Sequence, residues 1–469
     1  MSTAIVWFRR DLRLGDNPAL DAALRSADRV VPVFVLDPDD PETQGGASRW
    51  WLAHSLASLS EALAQRGSCM VLRRGDPLTE LRAVVAATGA DSVHWNRRYS
   101  PAAVAGDARV KTALRADGLV THSHKGSLLA EPWEVRTKAD APFRVYTPFW
   151  RALRQQLEID APLTAPDRVP TTPGLDAGLD LSALALLPAI DWASGIAAAW
   201  APGEAGARER LGTFLDERID GYSEGRDQPG IDGVSRLSPH LARGEISPRS
   251  VWHATVVASE GRALEGAGSA HRFLQEIVWR EFGYHILFNF PHTVSEPMQP
   301  HFAAFPWRAA SDYADDLARW RRGMTGIPIV DAGMRQLWAT GWMHNRVRMI
   351  VASLLVKNLL IPWWEGADHF MDTLVDADLA SNTMGWQWVA GSGADAAPYF
   401  RIFNPVTQGE RFDADGSYVR RWVPEVAGLP DAVIHHPWDA GGAQGYPAPI
   451  VDLKGSRQRA LDALRATRG

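Results

Sequence analysis

The 469 residues include a single cysteine, Cys69. That excludes an internal disulfide and argues against a thiolate-held metal centre. No apolar run approaches the ~18 residues needed to span a bilayer. The opening "MSTAIVWFRRDLRLGDN" has a short apolar stretch, Ala4 to Phe8, followed by Arg9 and Arg10 and no cleavage site. No signal peptide is expected, and the cytoplasm is the expected compartment. Excess positive charge is missing too: formal net charge is −6, which by itself gives no support for a nucleic-acid partner. No GxGxxG follows the first apolar run, so a standard dinucleotide fingerprint is absent. What is abundant is tryptophan, at 20 against 15 Phe and 8 Tyr, with twelve from Trp252 onward. Most are expected in the core, but indole is also suited to stacking on flat rings and to carrying an electron hole.

A chain of this length suggests two to four domains at about 100–200 residues each. The first stretch alternates short apolar runs, "AIVWF", "VVPVFVL", "CMVLR", "SVHW" and "LVTH", with helical segments such as "NPALDAALRSA". This alternation predicts an α/β domain over 1–130 with a doubly wound parallel sheet. Asn17-Pro18 reads as a helix N-cap followed by proline at the first helical position. Residues 131–205, rich in Pro, Ala and Leu, read as an interdomain linker draped over the surface. From 206 to 469 helical periodicity dominates, predicting one all-α domain. In "AHRFLQEIVWREFGYHILFNF" the apolar residues fall at 273, 274, 277, 278, 282, 286 and 287, the helical spacing. "MHNRVRMIVASLLVKNLLI" repeats it and stops at Pro362.

Several clusters carry chemistry-bearing side chains. Glu276, Trp279 and Arg280 share one helix face by their i, i+3, i+4 spacing. The plain alternative is a surface ion pair beside a half-buried Trp. Asn345, Arg348 and Met349 share another face and could line a pocket for a flat heteroaromatic ligand, or cap core packing. Asp376 and Asp378 could form an acid–base pair or a Mg²⁺ site. Alternatively, one could neutralise Arg348 while the other accepts a ring N–H. "VSRLS", Val234 to Ser238, offers hydroxyls and backbone N–H groups of the kind that hold phosphate. Residues 317–358 carry seven basic side chains against Asp331, a local charge of +6. Such a stretch could meet a polyanion, or simply be a solvated helix face.

Taken together, these segments resemble the cryptochrome/photolyase family. The resemblance runs through "IVWFRRDLRLGDNPAL", "TPFW", "DGVSRLSPHLARGEISPR", "FLQEIVWREF", "TGIPIVDAGMRQLWATGWMHNRVRMIVASLLVKNLL" and "DADLASNTMGWQWVAGSGADAAPYFRIFNPVTQGERFD". Within the family it is closest to the bacterial enzymes that repair cyclobutane pyrimidine dimers. It implies a Rossmann-like antenna domain and a helical domain holding folded FAD. Asp378 would accept from the isoalloxazine ring, Asp376 would pair with Arg348, and Asn382 would sit at flavin N5. Tyr222, Ser235, Arg236, Leu237, Ser238 and Arg280 resemble the phosphate-side contacts, with Val234 departing from the usual Thr. Asn345 would serve both cofactor and substrate. Glu276 would hydrogen-bond the dimer, with Trp279 and Trp388 as apolar walls and Arg346 and Met349 completing the pocket. Arg226 resembles a backbone-phosphate contact. Trp386, Trp363 and Trp307 resemble the photoreduction chain.

The implied activity is light-driven, redox-neutral repair of damaged DNA by a monomer that has no membrane partner. Where folate-binding relatives carry a Glu after the fourth strand, this sequence has Ala103. That points away from methenyltetrahydrofolate and towards 8-hydroxy-5-deazaflavin as second chromophore, with FAD or no antenna also open. Two other functions compete. A cryptochrome-like blue-light photoreceptor is opposed by Asn382 and by the absence of a long tail beyond the family core. A nucleotide-binding α/β enzyme is opposed by the Trp pattern and "WMHNRVRM".

Overall fold

The computed structural model describes residues 1–396 and 400–467. The chain divides into two compact units, Met1–Ile219 with Ser235–Asn289 and Val375–Asp378, and Asp220–Val234 with Phe290–Leu374 and Leu379–Gly469.

All five expected strands form: β1 (Thr3–Phe8), β2 (Arg29–Leu36), β3 (Val71–Arg74), β4 (Ser92–Asn96) and β5 (Val120–His124). They make one parallel sheet in the order β3-β2-β1-β4-β5. β1 is buried along its whole length because helices cover both faces. Ala4, Val6 and Phe8 pack with α1 (Pro18–Ser26) and α2 (Gly46–Ala64). Ile5 and Trp7 pack on the other side with α3 (Pro77–Thr88) and α4 (Pro101–Ala116). Asn17 caps α1 as its sequence predicts, accepting from Leu20 N.

In this strand order the ligand crevice of an open sheet lies at the carboxyl ends of β1 and β4, where the order reverses. Here the chain's own side chains fill it. Asn96 Nδ2 donates to Asp11 Oδ2 at 2.6 Å and to Asn17 Oδ1 at 2.8 Å. Arg9 pairs with Asp107, which also accepts from Trp95 Nε1 at 3.1 Å. The segment "FRRDLRLGDN" is therefore packing material, not a phosphate loop.

The Pro/Ala/Leu-rich stretch is more than a surface drape. Val169, Leu184 and Leu186 are buried in the sheet core, and Val30 N and Leu72 N donate to Pro170 O and Ala177 O. The same unit contains the helix Gly268–Asn289, with its apolar residues buried as their period predicts.

Among the described residues the second unit has helices and no strand. The helix Asn345–Ser353 continues into a π turn, Leu354–Asn358, closed by Leu359 N donating to Leu354 O. Periodicity alone did not reveal that change of pitch. It seats the buried Lys357, whose Nζ donates to Ala390 O at 2.7 Å. Burial pushes the Lys357 ammonium well below its ordinary range. No helix is long and apolar enough to cross a membrane, and no group of three or more His, Cys, Asp or Glu could hold a metal, among the described residues.

Candidate active site

In the first unit, the helix Gly268–Asn289 turns Glu276, Trp279 and Arg280 to one half-buried face. Trp279 stacks flat on Tyr146, with centroids 3.6 Å apart and planes within 6°. Tyr146 is itself fixed, its hydroxyl donating to Gln275 O at 2.7 Å. One side of the Trp279 indole is thus backed by a rigid ring. Glu276 lies 3.5 Å from Arg272 one turn earlier, a partly exposed pair of the weak surface kind. Arg280 donates to Ser127 O at 2.9 Å and lies 4.9 Å over the Tyr284 ring. Its neighbour Glu281 is pushed up to about 7 by burial, against Arg280 and the Leu129 and Ala130 N–H groups.

Asp376 and Asp378 are both buried. Asp378 accepts from the Tyr284 hydroxyl and lies 3.6 Å from Arg10 Nη2. Arg10 also donates to Ala377 O at 3.1 Å and to Ala242 O at 2.9 Å, and pairs with Glu42. Burial alone would lower the Arg10 pKa, but Glu42, Tyr284 and Asp378 together raise it, so the cation is secure. The Tyr284 hydroxyl is pushed up by burial and then by the Asp378 charge. Asp378 is thereby held as an acceptor by two groups, Arg10 and Tyr284, that sequence reasoning had not assigned. The only available signal was that both lie in segments quoted for the family resemblance or beside them. In "VSRLS", Leu237 N lies 3.4 Å from Ser235 Oγ, and Arg236 takes a left-handed backbone at φ 51°. Ser238 opens a six-residue helix.

In the second unit, His344 caps the helix Asn345–Ser353 by accepting from Arg346 N. Asn345 is exposed; Arg346, Arg348 and Met349 are half-buried. Arg346 donates to Asp227 Oδ1 at 2.8 Å and lies 4.3 Å over Phe412. Arg226 lies 5.5 Å over the buried Tyr222 ring and 3.9 Å from Asp227. Arg348 Nε donates to Met343 O at 2.8 Å. The +6 segment is not a +6 surface: Arg321, Arg335 and Arg346 pair with Glu365, Glu425 and Asp227, and Lys357 is buried.

The helix Leu379–Ala390 sorts its polar residues by job. Gln387 locks the helix in place, donating to Thr293 O at 2.6 Å and Glu296 O at 2.8 Å and accepting from Met298 N at 3.0 Å. Asn382 Nδ2 donates to Ala367 O at 3.0 Å. A carbonyl can only accept, so the amide's orientation follows from chemistry and Oδ1 is its remaining acceptor. Trp386 is buried against Phe370 at 5.0 Å and Trp320 at 6.2 Å, while Trp388 is half-buried. Gly366 makes room for Trp386, since a Cβ there would lie 2.0 Å from its ring. Trp363 is buried and Trp307 half-buried. Trp364 makes edge contacts with both, at 5.9 Å and 6.1 Å, and is 42% exposed.

In the first unit a carboxylate fixed by Arg10 and Tyr284 and an indole stacked on Tyr146, and in the second unit a neutral amide acceptor and a half-buried indole, are each groups of the kind that meet a flat ring with N–H donors, as a flavin is. The family model for DNA photolyase matches residues 4–170, and that for the FAD-binding domain of DNA photolyase matches 273–466. A deoxyribodipyrimidine photo-lyase of Agrobacterium fabrum is 51% identical over 99% of this chain and 98% of its own length. Cryptochrome-1 of Arabidopsis thaliana is 40% identical over 98% of this chain and 70% of its own length. The crystal structure of a bacterial class III photolyase from Agrobacterium tumefaciens superimposes with a TM-score of 0.95 at 51% identity, covering 100% of this chain and 98% of that one. The chain belongs to the DNA photolyase family. It carries the antenna sheet and the all-helical domain of that family and binds FAD.

Proposed function

We propose that this protein is a light-driven deoxyribodipyrimidine photo-lyase that repairs cyclobutane pyrimidine dimers in DNA. The observation that carries the reading is the Glu276–Trp279 face. A carboxylate sits one turn from an indole that Tyr146 backs at 3.6 Å. That pairs a hydrogen-bond acceptor with a flat apolar wall, the complement of a base edge and a base face. When bound, reduced FAD supplies, on excitation, the electron that opens the cyclobutane ring and takes it back.

The chain's residues do the rest. Trp279 and Trp388 wall the extruded dimer, and stacking contributes about 1–3 kcal/mol per base. Glu276 accepts from the dimer's N–H edge and fixes its orientation, with Asn345, Arg346 and Met349 around it. Arg226 positions the DNA backbone. Asn382 stays neutral and offers Oδ1 to an N–H at flavin N5, while Asp378 accepts from the ring and Asp376 balances Arg348. Tyr222, Ser235, Arg236, Leu237, Ser238 and Arg280 hold the phosphate side. Trp386, Trp363 and Trp307 would relay electrons under light from an external reductant, such as a thiol at the surface, to the oxidised cofactor.

Residues 1–130 serve as antenna domain, 131–205 as linker and 206–469 as catalytic domain. Ala103, buried in the first turn of α4, offers no carboxylate to a folate, which favours 8-hydroxy-5-deazaflavin as second chromophore. The protein acts as a cytoplasmic monomer. The test is repair of a dimer-containing oligonucleotide under blue light against a dark control. Light-dependent loss of dimers is expected. The 40% identity to a plant cryptochrome supports a second reading, a photoreceptor without repair. A flavin-loaded protein that leaves dimers intact would establish that reading instead.

A further inference from the structure

A cavity in the second unit takes no part in the repair chemistry. It is a half-open cleft of about 740 Å³, the size of a small-molecule site. Phe403 and Trp438 give it an aromatic wall, and Lys454 and Arg457 bring two exposed cations. With Asp452 counted, the lining keeps a net positive charge. Asn358 also lines it, and is only 2% exposed. Its Nδ2 donates to Ser456 Oγ at 2.8 Å, whereas its buried Oδ1 has no hydrogen-bond partner. An acceptor desolvated without a donor is costly, and a ligand donor would relieve that cost.

Two helices begin at the same cavity, Pro405–Phe412 and Leu453–Ala466. They are already capped, by Asn404 accepting from Val406 N and by Asp452 accepting from Lys454 N and Gly455 N. The helix ends are therefore not the binding groups. The recognition lies in the two cations, the aromatic wall and Asn358 Oδ1.

We propose that this cavity binds a planar heterocyclic anion of mononucleotide size. Its phosphate meets Lys454 and Arg457, its ring lies against Phe403 and Trp438, and an amino or ring N–H group donates to Asn358 Oδ1. Free phosphate has no ring to lie against Phe403 and Trp438, and a nucleoside has no anion for the cations. Both parts are required in one molecule.

The test uses the full FAD-loaded chain and adenosine 5′-monophosphate, titrated by calorimetry beside inorganic phosphate and adenosine. One-to-one binding of the nucleotide is expected, at least about tenfold tighter than either fragment. The double variant Lys454→Ala/Arg457→Ala is expected to weaken it by at least about tenfold, with dimer repair unchanged. Both side chains are exposed, so this variant tests binding, not folding. Trp438→Leu is expected to weaken nucleotide binding and leave phosphate binding alone. The proposal is overturned by no binding, by equal affinity for phosphate and nucleotide, by binding the double variant retains, or by release of FAD as nucleotide binds. Failure of repair with nucleotide binding intact would count against the photo-lyase reading only.

Discussion

The sheet crevice and the candidate site use nearly the same residue types to opposite ends. At the carboxyl ends of β1 and β4, Trp7 and Trp95 meet edge to face at 6.0 Å and Arg9 lies 4.3 Å over Trp7. Asp11, Asn17, Asn96 and Asp107 complete the group. All but Asp107 are buried, and their bonds run chiefly to one another. Glu276, Trp279, Asn382 and Trp388 are instead half-buried, with Trp279 backed by Tyr146 and Asn382 anchored through Nδ2 alone to Ala367 O. Residue type alone therefore does not mark a site. What marks it is a polar or aromatic group whose orientation is fixed while part of its binding capacity is left over.

The largest expected effect breaks the site and leaves the crevice alone. Trp363→Phe is expected to keep fold, FAD and repair by chemically reduced enzyme, and to abolish light-driven reduction of oxidised flavin. The measurement is flavin bleaching under blue light with excess thiol. Trp364→Phe sharpens the result, because Trp364 touches both Trp363 and Trp307. A wild-type rate in Trp363→Phe that survives the double variant would remove this chain from the mechanism.

The converse change breaks the crevice alone. Asp11 accepts from Arg9 N at 2.7 Å and from Asn96 Nδ2 at 2.6 Å. Asp11→Ala is expected to lower unfolding stability by about 2–3 kcal/mol, the cost of orphaning buried donors. Repair per folded, flavin-loaded molecule should not change. A fall in specific activity at equal flavin content would mean the crevice does more than pack.

Glu276→Ala comes next. It removes a carboxylate whose pair with Arg272 is of the weak, partly exposed kind, so melting temperature and flavin content should hold. Repair yield should fall severalfold, since a preorganised group at developing charge contributes to the barrier. An unchanged quantum yield would take Glu276 out of the chemistry.

Most of the fold was legible because burial writes itself into local sequence. Strands covered on both faces read as continuous apolar runs, as in "AIVWF", and the helix Gly268–Asn289 reads at a 3.6-residue period. The Glu276–Trp279–Arg280 face was legible for the same reason. Tyr146 was not, because nothing in local spacing ties it to Trp279, more than a hundred residues on. Nor were Arg10 and Tyr284, which fix Asp378. The +6 count over 317–358 misled because its partners Glu365, Glu425 and Asp227 lie outside that window.

A smaller effect concerns acid. His94 and His124 on the sheet stack within 6° and lie 3.3 Å apart through Nδ1 and Nε2, with the His122 ring tilted beside His94 at 4.8 Å. Burial first, then the neighbouring imidazoles, and for His124 also Arg97, hold both down to about 4. Between pH 6.5 and 4 the unfolded chain takes up protons that the folded one refuses, so stability falls as pH falls through that window. Glu281, raised to about 7, has the opposite slope, losing stability as pH rises from 4.5 towards 7. A variant therefore separates them. His124→Gln should gain melting temperature relative to wild type as pH drops from 6.5 to 4. A constant difference would show that His124 titrates normally.

The smallest expected effect is the salt dependence of DNA binding, and one residue controls it. Counted by sequence, the basic stretch would predict a steep slope. Its cations are largely spent within the protein, Arg346 on Asp227 among them; Arg226, outside that stretch, is the proposed backbone contact, and Arg346 becomes a second where a phosphate displaces Asp227. Two phosphates would give a slope of log affinity on log salt of roughly −2. Asp227 competes for both, at 3.9 Å from Arg226 and 2.8 Å from Arg346. Each phosphate contact must displace that carboxylate, so part of the binding energy is offset. Asp227→Asn keeps the shape, removes the competing charge and should tighten dimer-DNA binding at low salt with a steeper slope. Flavin content and repair yield of bound dimer should not move. A slope near zero in wild type would mean that neither arginine meets the backbone. A steep wild-type slope that Asp227→Asn leaves unchanged would place the DNA on other cations.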